Sequence, residues 1–266
     1  MSQLTLEDQR GLYYRQFGDT GSQSVLLHGY LDSHMTFYRL FEALAAKHRL
    51  YTPDHRGHGE SFPAPDYTIA GFTEDAIAFI ESIAEGPVHL GGHSLGGIVA
   101  QRVAARRPDL VRSLALIGTA RHAGGNRTLL ETAPLLEGLS DPVPDALGRE
   151  FQLSSLHEPM AEEIFSPYLQ ATRKVKADVW RGALAGLLDE PAPVGDPPAM
   201  PTLILWGEED GIFPPPDQER LRQAFPRAAF ISYPKTGHAP NWERPEESAA
   251  ALLAFWRGLD EQEPCR

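Results

Sequence analysis

The chain has 266 residues, 42% of them hydrophobic and 23% charged, with a formal net charge of −12. Those values fit one sizeable globular domain and exclude a disordered chain. The acid excess argues against nucleic acid and against anionic membrane surfaces, which need clustered Lys and Arg.

The opening residues, 1–15, are polar and lack the basic-then-apolar pattern of a leader. Two strands are expected there, at 4–6 and 12–17, joined by a turn at Gly11. A short strand at 25–28 ends at Gly29, and a helix is expected over 36–47, where Phe37, Leu40, Phe41 and Leu44 recur at helical spacing. Another strand begins at 50–52 and runs into Asp54-His55-Arg56-Gly57-His58-Gly59. The stretch 72–83 places Phe72, Ala76, Phe79, Ile80 and Ile83 on one helical face. Strands at 88–91 and 114–117 flank a helix of small residues over 95–106.

Between about 121 and 198 the rhythm changes. Amphipathic helical patterns run over 127–139, 160–172 and 175–188, with no convincing strand, and a proline-rich hinge over 191–201 leads back to strands at 202–206 and 230–233. The last helix, 245–256, starts with Pro245, whose missing N–H costs nothing in a first turn. Short apolar runs alternating with helices predict a mostly parallel sheet covered on both faces. The helical stretch reads as a cap inserted between two strands, because so long a structureless loop is implausible in a compact domain. The expected division is a core of 1–120 and 198–266 and a cap of 121–197. No stretch has the roughly 18 consecutive apolar residues of a transmembrane helix. Cys265 is the only cysteine, so no internal disulfide can form; a soluble cytoplasmic protein is expected.

Gly92-His93-Ser94-Leu95-Gly96 fits Gly-x-Ser-x-Gly between an expected strand and an expected helix. A serine on so sharp a turn points its hydroxyl out of the sheet, and the turn needs glycine where a Cβ would clash. Ser94 is therefore the candidate nucleophile. A base must come from far along the chain. His238, in Gly237-His238-Ala239-Pro240 after the last expected strand, stands where it could reach the sheet edge. Asp210, in Gly207-Glu208-Glu209-Asp210-Gly211, follows the strand at 202–206 and could accept the imidazole N–H. Glu208 and Glu209 are its rivals, and Asp210 is preferred because Gly211 and the turn into Pro214 could aim it inward. For an oxyanion, the expected donors are the backbone N–H groups of Tyr30, after Gly29, and of Leu95.

With these motifs assembled, the chain resembles the α/β-hydrolase superfamily, over about 23–120 and again from 201 to the end. The family's post-strand turn, Asp-x-Arg-Gly-x-Gly-x-Ser, matches Asp54, Arg56, Gly57, Gly59 and Ser61, and its acid loop matches 207–214. The resemblance implies an eight-stranded, mostly parallel sheet flanked by helices, and it favours Asp210 as the orienting acid. It also explains His55 and His58 better than metal ligation does. No metal or organic cofactor is expected, and the expected partner is a small-molecule ester.

The implied chemistry is a serine esterase acting through an acyl-enzyme on a small to medium, mainly apolar ester, lactone or thioester. Carbon–carbon bond hydrolases and cofactor-free perhydrolases of the same fold remain alternatives, as does a ligand receptor that keeps a slow hydrolase site. Residues expected at the substrate pocket are Leu31, Leu136, Phe151, Phe165, Tyr168, Trp180, Ile212 and Phe213, with Trp242 close behind.

Overall fold

A computed structural model describes residues 2–5, 11–195 and 197–262. Leu6, the end of the first expected strand, and Cys265 lie outside the described residues. Eight strands form one sheet: β1 (Ser2–Thr5), β2 (Gly11–Phe17), β3 (Gln23–Leu27), β4 (Arg49–Pro53), β5 (Val88–His93), β6 (Val111–Ile117), β7 (Thr202–Gly207) and β8 (Ala229–Tyr233). Their spatial order is β1-β2-β4-β3-β5-β6-β7-β8. β2 pairs antiparallel with β1 and β4, and every later pairing is parallel. This is the α/β-hydrolase fold, as expected.

Alternation along the strands builds two cores. Val25 and Leu27, Leu114 and Leu116, and Ile204 pack on one face of the sheet. Their neighbours Leu26, Ala115, Ile117, Leu203 and Leu205 pack on the other, as a period of two requires. The first face is covered by α2 (Ile69–Ile83) and α3 (Leu95–Arg106) through Phe72, Phe79, Ile98 and Val103. The second is covered by α1 (Phe41–Ala45) and the C-terminal helix Pro245–Asp260 through Leu44, Leu252 and Trp256. Among the described residues, no helix is long and apolar enough to cross a membrane.

The helix expected over 36–47 is divided. A 3-10 turn at His34–Leu40 precedes α1, which ends at Ala45. The stretch expected over 127–139 is likewise shorter, with α4 at Arg127–Thr132 and a 3-10 turn at Ala133–Leu136, since Pro134 has no N–H to continue the helical ladder. Three helices follow before β7: α5 (Asp145–Ser154), α6 (Glu162–Arg173) and α7 (Ala177–Asp189). After β7 come α8 (Pro215–Ala224), α9 (Pro240–Glu243) and α10 (Pro245–Asp260).

The turn after β4 shows why its residues are what they are. The Asp54 carboxylate accepts the His34 N–H at 2.6 Å and the Glu60 N–H at 3.1 Å, while the Ser61 hydroxyl donates to the Asp54 carbonyl at 2.7 Å. Gly57 and Gly59 have φ of 73° and 54°, the left-handed region. Arg56 reaches out of the turn to Asp75 on α2 through Nε at 2.6 Å and Nη2 at 2.9 Å, a buried bidentate pair. The turn therefore locks β4 to α2 and, through Asp54 and His34, to the segment that follows β3.

Candidate active site

Ser94 sits between β5 and α3 with φ 52° and ψ −118°, a conformation that is strained for any residue with a Cβ. Around it, glycine is required for space as well as for turning. A Cβ on Gly92 would run into the backbone of Gly96, one on Gly96 into the carbonyls of Leu27 and His28, and one on Gly97 into Thr119. Helix α3 thus presses its first turn onto the end of β3. Leu95 opens that helix, so its N–H is among those with no acceptor one turn back. The Thr119 hydroxyl donates to the Ser94 carbonyl at 2.7 Å and helps hold the turn.

The turn after β3 meets the serine directly. A Cβ on Gly29 would lie 3.2 Å from the Ser94 Cβ and 2.9 Å from His93 Nδ1. The peptide joining Gly29 to Tyr30 is held by a histidine relay. His28 Nε2 accepts the His55 N–H at 2.9 Å, so its proton resides on Nδ1, which donates to the Gly29 carbonyl at 2.8 Å. Burial, with His55 and His58 adding to it, holds the His28 pKa well below the ordinary histidine value, so the ring stays neutral. In a trans peptide the N–H points opposite the carbonyl. The Tyr30 N–H is therefore turned away from His28. His55 and His58, weighed earlier as metal ligands, each spend one ring nitrogen on a carbonyl: His55 Nε2 on that of His28 (3.1 Å) and His58 Nδ1 on that of Arg56 (2.9 Å).

His238 follows β8, in the loop before α9. Its Nδ1 lies 3.1 Å from Asp210 Oδ1 and 3.0 Å from Asp210 Oδ2, and both residues are buried. A carboxylate only accepts, so Nδ1 carries the proton and Nε2 is left as an acceptor. Asp210, after β7, is itself fixed: Oδ1 accepts the N–H groups of Ile212 at 2.8 Å and Phe213 at 2.9 Å. Its rivals are placed elsewhere. Glu208 and Glu209 are exposed, and Glu208 accepts the Ser232 hydroxyl at 2.7 Å. The neutral His93 ring, its pKa lowered to about 3 chiefly by burial, lies 5.0 Å from the His238 ring and donates from Nε2 to the His238 carbonyl at 3.2 Å.

The histidine loop rests on the helical segment between β6 and β7. The His238 N–H donates to the Ser155 carbonyl at 2.8 Å. Glu243 on α9 bridges the two pieces, accepting the Gly237 N–H at 2.7 Å and the His157 N–H at 2.9 Å. Sequence reasoning passed over Glu243, whose spacing five residues after His238 carries no signal of its own.

Ser94 and His238 line one cavity of about 30 Å³, which is space for roughly two waters. The wall also contains Tyr30, Asp32, His93, Phe151, Ile212, Phe213 and Trp242. Of the expected pocket residues, Phe151, Ile212 and Phe213 stand on it; the other five do not. Leu31, with φ 61°, is buried in the core and gives its carbonyl to the Thr172 hydroxyl at 3.0 Å. Trp180 backs the wall, packing edge-on to Tyr30 and Phe151 and accepting the Tyr30 hydroxyl on its carbonyl at 2.5 Å. Leu136 packs in the core beneath the inserted helices. Phe165 and Tyr168 join Ala239 and Trp242 in a separate cluster, with Tyr168 stacked on Trp242 at 3.7 Å between centroids. Asp32, Leu129, Gln152, Ser155 and Leu187 also reach the wall. They went unseen because polar or aliphatic residues at ordinary helix and loop positions carry no periodic or motif signal.

A serine held in strained backbone at a strand-to-helix turn, over a mostly parallel sheet, is the architecture of the α/β hydrolases. A family model described as the alpha/beta hydrolase fold matches residues 25–245, and the chain belongs to that family. Among its curated relatives, Lipase 1 of Psychrobacter immobilis is 26% identical over 97% of this chain and 84% of its own length. The pimeloyl-acyl-carrier-protein methyl ester esterase of Chromobacterium violaceum is 29% identical over 87% of this chain and 93% of its own. The solved structure of a thermophilic esterase from Thermogutta terrifontis has a TM-score of 0.85 at 24% identity, covering 97% of this chain and 98% of that one, a likeness of fold.

Proposed function

We propose that the protein is a serine esterase that cleaves a small to medium, mainly apolar carboxylic ester, or a related lactone or thioester, through an acyl-enzyme on Ser94. The chain is an ester-hydrolysing enzyme of its family. His238 Nε2 takes the Ser94 proton as Oγ attacks the carbonyl carbon, and passes it to the departing alcohol. Asp210 holds the imidazole in the tautomer this requires and stabilises the imidazolium. The Tyr30 and Leu95 N–H groups receive the developing oxyanion. Water then attacks the acyl-enzyme, again with His238 as base, and releases the acid. The segment 121–197 acts as a cap over this site.

The observation that carries the reading is the joint one: a strained Ser94 and a His238 held by Asp210 face the same small cavity. The oxyanion role is supported by the contact of Gly29 with Ser94 and by the relay that orients the Gly29–Tyr30 peptide. The apolar part of the wall and its small volume support a short acyl chain. The names of the lipase and esterase relatives support ester chemistry. The single cysteine supports a cytoplasmic setting.

A serine-directed fluorophosphonate tests the nucleophile. It should label Ser94 in the wild type and leave folded Ser94→Ala unlabelled and inactive on a panel of p-nitrophenyl esters. Labelling that survives the substitution refutes the assignment.

A further inference from the structure

One wall residue has no part in the reaction just described. Asp32 is the single carboxyl on the cavity wall among the described residues, only 2% exposed, two positions after Tyr30. Its Oδ1 accepts the Ser33 N–H at 3.0 Å, and no cation is among the groups that act on it. Thr36 hydrogen-bonds to it as well, while the Thr36 hydroxyl oxygen accepts the Trp242 indole N–H at 2.9 Å, so a neutral chain runs from Asp32 to the far wall. Tyr168, stacked on Trp242, lies near enough for the Asp32 charge to act on its hydroxyl. Burial is the main cause raising the Asp32 carboxyl to about 7, with the Asp54 carboxylate adding to it. Above neutral pH the cavity wall therefore carries one negative charge with no cation acting on it.

Resting on the esterase reading, we infer that Asp32 is a specificity-determining residue that sets the charge selectivity of the site. It admits esters whose acyl and alcohol parts are neutral and rejects those that carry a second, ionised carboxylate close to the scissile bond. The Tyr30 side of the wall and the aromatic rings of Phe151, Phe213 and Trp242 supply no cation to offset that charge. Two like unit charges about 5–6 Å apart at an effective dielectric near 20 repel strongly enough to return a proton to Asp32, and at pH 8, one unit above its value of about 7, that protonation limits the loss of binding to about tenfold. A neutral amide of the same shape escapes the penalty, so charge and polarity can be separated.

The test compares monomethyl succinate, an anion at pH 8, with its neutral amide analogue, methyl succinamate, and reads the ratio of their kcat/KM values. Wild type is expected to prefer the amide by about tenfold. Asp32→Asn should narrow the ratio at least threefold, with the change mainly in KM for the anion, and Asp32→Ser should do the same where the asparagine variant does not fold. Because each ratio is internal to one protein, a general loss of activity does not move it. A wild-type ratio within threefold of unity overturns the inference, and so does an unchanged ratio in either folded variant. If neither ester is turned over, or Ser94→Ala still turns them over, the esterase reading itself fails and not only the role of Asp32.

Discussion

Replacing Asp210 with asparagine changes one oxygen for an NH₂ and tests the core of the mechanism. Oδ1 already accepts two backbone N–H groups, from Ile212 at 2.8 Å and Phe213 at 2.9 Å. The asparagine carbonyl oxygen will keep that position, because an NH₂ there would face two donors. Its NH₂ must then take the place of Oδ2, 3.0 Å from His238 Nδ1. Two donors cannot share that contact, so the neutral imidazole turns over its tautomer: Nδ1 becomes the acceptor and Nε2 carries the hydrogen. A protonated Nε2 cannot take the Ser94 proton, and no fixed charge remains to stabilise an imidazolium. Such a change costs about 10⁴-fold in turnover where it has been made in other triads, or roughly 5 kcal/mol at the transition state. The fold should lose far less, about 1–3 kcal/mol, since both backbone donors keep an acceptor. The assay is kcat on a p-nitrophenyl ester beside a urea unfolding curve. A folded Asp210→Asn that keeps more than a tenth of wild-type kcat would refute the assignment of Asp210 as the orienting acid.

Gly29→Ala should lower kcat by about 10²-fold or more, because the new Cβ would lie 2.9 Å from His93 Nδ1 and 3.2 Å from the Ser94 Cβ, and a displaced oxyanion donor costs about that much; steady-state kinetics on a folded variant check it. Glu243→Gln keeps one acceptor but turns an NH₂ toward the Gly237 or His157 N–H, so kcat should fall about tenfold and amide exchange at those two positions should rise. Acid should destabilise the fold. Burial holds His55 and His93 at about 3 and His58 and His89 at about 4, below the ordinary value of 6.5, so the unfolded chain binds more protons and stability is lost as pH falls below about 6.5. Asp32, raised to about 7, opposes this by retaining a proton when folded. Together these five groups give roughly 4 kcal/mol lost per pH unit near pH 5, measured as the pH dependence of urea unfolding.

Much of the site was legible because it depends on backbone geometry that few residues satisfy. Gly92, Gly96 and Gly97 are written into the chain by the absence of room for a Cβ, and Gly57 and Gly59 by the turn they make around Asp54. The strands were legible because both faces of the sheet are buried: β3, β5 and β7 are buried along their whole length, and the apolar runs Val25–Leu27 and Leu203–Trp206 are what the sequence shows of it. Of the three helices that escaped, the four-residue α9 is too short to show a period, and the other two escaped for the opposite reason. α8 buries Asp217, Gln218 and Leu221, and α5 buries Gly148 and Gln152, so neither presents an apolar stripe to the periodicity. Their buried amides donate to specific acceptors instead: the Gln152 amide to the Thr172 hydroxyl at 2.6 Å, and the Gln218 amide to the Thr119 carbonyl at 2.9 Å. The cavity wall was the least legible part. Membership there depends on which side chains from distant segments converge, and aromatic residues chosen for size, such as Phe165 and Tyr168, were used for packing behind the wall.

That packing bears on how the inserted helices and the catalytic chemistry are coupled. Phe165, Tyr168 and Leu169 of α6 share a buried cluster with Ala239 and Trp242, the residues that follow His238. The Ser155 carbonyl takes the His238 N–H, and Gly237 has no space for a Cβ, which would lie 2.7 Å from both the Ser155 carbonyl oxygen and the His157 nitrogen. Glu243 then closes the contact from below with one oxygen on each side. The C-terminal end of α5 and helix α6 thus cannot lift away from the sheet without breaking the two hydrogen bonds that cross to the histidine loop, from the His238 N–H to the Ser155 carbonyl and from the His157 N–H to Glu243, and exposing Trp242. Each of those losses is worth about 1 kcal/mol or more, and the α4 and α7 side is tied as well: the Asn126 amide donates to the Ile212 carbonyl at 2.7 Å, the Thr128 hydroxyl to the Gly211 carbonyl at 2.9 Å, and the Tyr30 hydroxyl to the Trp180 carbonyl at 2.5 Å. The inserted helices therefore brace both catalytic loops: α6 and the end of α5 hold the residues around His238, while α4 and its N-cap hold the residues that follow Asp210.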